Sequence, residues 1–186
     1  ILHPFNDLNM ACGAATCGAE FIEDVPDLDI AILPVGGGGL ISGMAAAIKR
    51  QRPDITIIGV EPVGADSLSR SFRSGAPEVL DKVDTIADSL GAPMAMAESL
   101  ALARQYVDEL IQIEDSVMAR TMLLMRERLT LMAEPACAAS LGAALGPLRD
   151  RLRGKKAGVI ACGSNISMAR FDTFTADVEM PDAANS

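Results

Sequence analysis

Aromatic residues are scarce: they make up 3% of the 186 residues, with no tryptophan and one tyrosine. Stacked rings therefore cannot build the core, and Ala, Val, Ile, Leu and ten methionines must fill it. Histidine occurs once, at His3, and none of the four cysteines (Cys12, Cys17, Cys137, Cys162) forms a Cys-x-x-Cys pair. The usual zinc ligand sets are excluded, and the simplest reading is reduced thiols in a cytoplasmic protein. Net charge is −9 with no basic run, so a nucleic-acid partner lacks the cations that would neutralise its phosphates. No apolar run reaches the ~18 residues of a membrane span. The opening "ILHPFNDLN" has neither the basic nor the apolar part of a signal peptide.

The chain is long enough for one domain with a real core. Four short apolar runs read as strands: Asp29–Val35, Ile55–Val60, Glu109–Ile113 and Ala157–Ala161. They lack the alternation of a sheet with one wet face and suit strands covered on both sides. Between them lie helical patterns. Asn9–Glu23 reads as a first helix. Leu40, Met44 and Ile48 recur at helical spacing before Pro53 stops the run. Met118, Met122, Met125, Leu129 and Met132 form one apolar stripe, read as core filling, with Asp115 or Ser116 as its N-terminal cap. An Ala-rich helix covers Ala136–Leu148, broken near Pro147. This order predicts an α/β fold: an open, mostly parallel twisted sheet with helices on both faces. Gly64–Ala97 reads as the least regular stretch, and the acidic tail from Phe171 as loosely ordered.

The segment "AILPVGGGGLISG" carries the chemistry. A strand running through glycines into a helix presents free backbone N–H groups at a helix N-terminus, a ready anion site. A tight turn needs one or two glycines; four in a row favour phosphate. Which phosphate stays open from the glycines alone. Gly37, Gly39 and Gly43 also fit a GxGxxxG spacing, and Glu61 ends the next strand where a ribose-binding acid would sit. A Rossmann-type nucleotide-binding module is thus a competing reading. A P-loop is excluded, since no Gly-Lys-Ser/Thr follows.

Further motifs occur in order after the glycines: "GVEPVGADS", "DTIADSLGAP", "LMAEPACAA" and "VIACGSNIS". With them, the chain from His3 to about Ile166 resembles the pyridoxal-phosphate-dependent serine/threonine dehydratases, a family that includes serine racemase. The resemblance implies a tryptophan-synthase-β type fold (fold type II) and β-elimination of a hydroxy-amino acid to a 2-oxo acid and ammonia. It implies that Gly36, Gly37, Gly38, Gly39 and the N–H of Leu40 hold the cofactor phosphate. Glu134 would lie close to the cofactor ring, Cys162 would meet the pyridine nitrogen, and Asn165 would stand behind it. Ser89 replaces a family glycine near the cofactor. A cation site of several relatives is matched by Glu61 and the Ala65 carbonyl, but its Asp position is Ser67 and Asp66 is one residue early; a tightly bound divalent or monovalent cation is not expected. The family's Schiff-base lysine belongs to an upstream Ser-x-Lys motif, and Lys49, Lys82, Lys155 and Lys156 read as solvated surface. The expectation is the C-terminal half of such an enzyme. Residues 1–170 would be part of its large cofactor-binding domain, and 171–186 a loose tail. It would be homo-oligomeric when complete and inactive as this chain alone. A non-catalytic fragment or pseudoenzyme is the remaining alternative.

Overall fold

The structure, a computed structural model, describes residues 8–179. The motif at His3 and the last seven residues lie outside them. Four strands, β1 (Ile30–Pro34), β2 (Thr56–Pro62), β3 (Glu109–Ile113) and β4 (Ala157–Val159), form one parallel sheet in the order β3-β2-β1-β4. Among the described residues seven α-helices accompany them: α1 (Leu8–Asp24), α2 (Gly39–Gln51), α3 (Ser67–Ser74), α4 (Ala97–Tyr106), α5 (Asp115–Leu129), α6 (Pro135–Leu145) and α7 (Met168–Thr175).

The central strands β1 and β2 are almost wholly buried because both faces are covered, while the edge strands β3 and β4 are mostly half-buried. Ala31, Leu33, Val35 and Ile57 point into a core shared with α1, α2 and α4, around Ile41, Met44 and Leu100. Ile30, Ile32, Ile58 and Val60 point the other way, against Met118 of α5 and Ala136, Ala139 and Ala143 of α6. The period of two is real, but both of its phases are buried. Helices α1 and α2 approach so closely that a Cβ on Gly43 would stand 2.1 Å from the Ala11 carbonyl oxygen. Gly43 is thus a packing residue between α1 and α2.

Several expectations change. The methionine stripe is buried through Met125, but Leu129 is exposed. Thr130 turns left-handed (φ 55°), and the Leu131 N–H closes the helix on the Met125 carbonyl at 3.2 Å, which leaves Met132 beyond it. Glu114 takes the cap position without a side-chain bond. Asp115 instead accepts from Thr85 Oγ1 (2.6 Å) and the Ile86 N–H (2.8 Å), anchoring the loop that carries Ser89. The Ala-rich helix runs from Pro135 and stops two residues short of Pro147. The stretch 64–97 contains α3 and two single 3₁₀ turns, Val63–Ala65 and Asp88–Leu90. The expected loose tail begins as α7. Ser167 caps it by accepting from the Arg170 N–H at 3.3 Å, and Phe171 is wholly buried against Met122, Met125 and Cys137. Lys49 is not free surface: its ammonium pairs with Asp108 at 2.8 Å, and its side chain is 16% exposed.

Candidate active site

The chain lays down β1, β2 and β3 in one direction and then places β4 on the other side of β1. The carboxyl ends of β1 and β4 are therefore neighbours at the point where the strand order reverses. Ligands of open parallel sheets sit in this crevice. β1 runs out into the glycine loop, and β4 runs out toward Cys162.

The loop leaves the sheet after Val35, whose N–H donates to the Val60 carbonyl at 2.8 Å. Gly38 turns it at φ 90°, ψ −4°, a conformation that L side chains rarely adopt, and serves as the N-cap of α2. A Cβ there would also stand 2.9 Å from Ser99 Cβ, and one on Gly36 would stand 2.9 Å from the Ser89 carbonyl oxygen. The Ser42 hydroxyl donates to the Ser99 carbonyl at 3.0 Å and fixes the first turn of α2 against α4. Among the described residues, no backbone carbonyl accepts from the N–H groups of Gly36, Gly37 or Gly38. With the first turn of α2, they give a concave set of donors at the positive end of a helix. The chemistry of this donor set fits a phosphate.

Gly36, Gly37, Gly38, Gly39, Leu40, Ser89, Glu134 and Cys162 all line one cavity of about 350 Å³. The structure thus brings together every cofactor residue expected from the sequence except Asn165. That residue lines a smaller adjoining cavity of about 70 Å³, which shares Ser89, Glu134 and Ala136 with the first. Sequence reasoning did not name Pro34, Ile41, Leu90 or Ala136, which complete the wall. They flank motif residues, and their neighbours in the chain were the available signal.

Cys162 is exposed as a residue, yet surrounding protein desolvates its sulfur, and this, with the nearby Cys137, pushes the thiol pKa up. The thiol stays neutral at ordinary pH. Desolvation raises Cys137 in the same way. Glu134 ends the loop before α6. Its N–H donates to the Gly163 carbonyl at 3.2 Å, and its Oε1 accepts from Ser89 Oγ at 3.1 Å.

The corner after β2 is different. Glu61 is fully buried; its Oε1 accepts from the Leu68 N–H and its Oε2 from the Ser69 N–H, each at 2.9 Å. Burial pushes its pKa up to about 7 against those hydrogen bonds. A carboxylate so enclosed at the start of α3 cannot reach a ribose, which removes the nucleotide reading's second support. The corner also does not fit a divalent cation, which needs several hard oxygen ligands. Ala65 is buried there and Ser67 Oγ is buried without a hydrogen-bond partner, but Asp66 turns to Arg70 at 2.8 Å. No group of three or more His, Cys, Asp or Glu able to hold a metal occurs among the described residues.

Residues 1–163 match the family described as pyridoxal-phosphate-dependent enzymes. The chain is 42% identical to phenylserine dehydratase of Ralstonia pickettii over 170 residues, covering 91% of this chain and 52% of that protein. It is 35% identical to L-threonine ammonia-lyase of Thermotoga maritima over 171 residues, covering 92% and 42%. Among solved structures, the processed form of threonine deaminase isoform 2 from Solanum lycopersicum superposes with a TM-score of 0.89 at 28% identity, covering 94% of this chain and 51% of that one. The chain spans about half the length of the curated relatives it matches. Its parallel sheet with helices on both faces is the fold-type II arrangement of these neighbours. By this match and these likenesses, the chain belongs to the pyridoxal-phosphate-dependent enzyme family.

Proposed function

We propose that the enzyme containing this chain eliminates water from a hydroxy-amino acid of the serine or threonine type, yielding a 2-oxo acid and ammonia, with pyridoxal 5'-phosphate held in the 350 Å³ cavity. The observation that carries this reading is the convergence of the glycine-loop amides and a neutral thiol on one cavity at the β1/β4 switch point. Relatives named phenylserine dehydratase, L-threonine ammonia-lyase and L-threo-3-hydroxyaspartate ammonia-lyase support the reaction class.

Bound pyridoxal phosphate supplies an electron sink for negative charge developing at a substrate Cα. The amides of Gly36–Gly39 and Leu40 would hold the phosphate by fixed donors that need no reorganisation. Cys162 would face the ring nitrogen with a neutral thiol, a weak partner that would not enforce ring protonation and so would temper the sink. Glu134 presents a carboxylate to the same space. No lysine lines the cavity; Lys49, Lys82 and Lys156 are paired with Asp108, Asp84 and Asp27. We assign the amine that removes the Cα proton to polypeptide outside this sequence, and expect the 186-residue chain alone to be inactive. The reduced state of all four cysteines fits a cytoplasmic enzyme. We also propose a homo-oligomer for the complete enzyme.

The test is direct. The complete enzyme is given serine, threonine or phenylserine with pyridoxal phosphate, and 2-oxo acid and ammonia are measured. Equal amounts of both products support the reading. A bound dinucleotide, or interconversion of substrate enantiomers without ammonia, contradicts it.

A further inference from the structure

Glu134 stands at the N-cap of α6, where a side chain ordinarily turns back to its own helix. It makes no such bond. The chain is instead extended across the loop after β4, and two features fix it there. The Ser89 hydroxyl donates to Oε1 at 3.1 Å. On another side lies Gly163, where a Cβ would stand 2.2 Å from Oε1 and 2.8 Å from Cδ. The carboxylate is thus placed on the boundary between the larger and the smaller cavity, and Ser89 lines both with it. Ser89 is itself held, because the loop preceding it hangs on Asp115.

The other charged and titratable groups around Glu134 offset one another or stay neutral. Asp88 and Arg170, which also line the smaller cavity, pair with each other at 2.7 Å. The thiols of Cys137 and Cys162 are held protonated by desolvation. Among the described residues, the Ser89 hydroxyl is the one hydrogen-bond donor to the Glu134 side chain, and Oε2 is left without a partner.

We propose that Ser89 is a positioning residue for Glu134: its hydroxyl keeps the carboxylate turned into the cavity, leaving Oε2 to accept a proton donor of the bound ligand. The inference rests on the cofactor cavity proposed above and deepens it. At the position where the family resemblance has glycine, this chain carries a side chain whose role is to aim the neighbouring acid.

The experiment uses the complete enzyme labelled at the glutamate carboxyl carbons. Glu134 is identified by loss of its resonance in Glu134→Gln. In the cofactor-free protein at fixed pH, Ser89→Ala and Ser89→Gly move the Glu134 carboxyl resonance, because its side-chain donor is lost. Ser89→Thr restores the wild-type position. Pyridoxal phosphate affinity, followed by cofactor fluorescence, is measured on the same variants. An unmoved Glu134 resonance in both Ser89→Ala and Ser89→Gly overturns the inference, whatever the affinity. Failure of wild-type protein to bind pyridoxal phosphate overturns the cavity assignment instead, while the resonance still decides whether Ser89 holds Glu134.

Discussion

Two strand ends of this molecule face the start of a helix, and the chain treats them in opposite ways. After β2, Glu61 sends its carboxylate into the N-terminus of α3 and occupies the Leu68 and Ser69 amides itself. After β1, the chain supplies four glycines and leaves the amides before α2 bare. Each helix start carries the same partial positive charge and the same unpaired N–H groups. One has an internal anion and is sealed; the other has none and opens on a cavity. The pair works as an internal control: of these two helix starts, the one without a carboxyl group of its own is the one open to a ligand.

Removing the internal anion gives the largest expected effect on folding. Glu61→Ala leaves two buried amides without acceptors and lowers stability by about 2–4 kcal/mol, measured by denaturant unfolding. Glu61→Gln keeps one oxygen and costs about half as much. The pH dependence has a definite sign. The folded carboxyl titrates at about 7 and the reference value is 4.5. Between these values the folded state keeps a proton that the unfolded state has lost. Stability therefore falls as pH rises through that window, by up to about 1.4 kcal/mol per unit, and levels off above it. Glu61→Gln should remove that slope. A similar slope in the variant would show that another group is responsible.

A smaller effect sharpens the contrast among the glycines of the second strand end. Gly43→Ala pushes a methyl group into the Ala11 carbonyl and separates α1 from α2, at about 1–3 kcal/mol. Its affinity for pyridoxal phosphate should stay within a few-fold of wild type, as read by fluorescence titration. A loss comparable to that of a loop glycine would restore Gly43 to the binding site.

The comparison also explains what the sequence disclosed. All four strands were legible: β1 and β2 are buried on both faces and read as apolar runs, and the half-buried edge strands β3 and β4 are still mainly apolar. The glycine loop was legible because its chemistry is local: strand, donors and helix are adjacent in the chain. Helix α3, "SLSRSFRS", was not. Its composition is polar, and its N-terminus is completed by Glu61, outside the helix itself. Phe171 was misread for a related reason. It sits in an acidic, Thr-containing segment, and only the packing of α7 against α5 and α6 makes it core. The Ser89–Glu134 bond joins residues 45 positions apart. The family resemblance brought both to the site, but nothing in either motif shows that one holds the other.

The most direct test of the central claim is the affinity of the complete enzyme for pyridoxal phosphate, and for inorganic phosphate as a competing probe, in wild type, Gly38→Val and Glu61→Gln. The account predicts that Gly38→Val weakens both ligands by at least about a hundredfold, since a side chain there is strained at φ 90° and crowds Ser99. Glu61→Gln should leave both within a few-fold of wild type, because its helix start is sealed from the cavity. Undiminished affinity in a folded Gly38→Val protein, or an equal loss in Glu61→Gln, would contradict it.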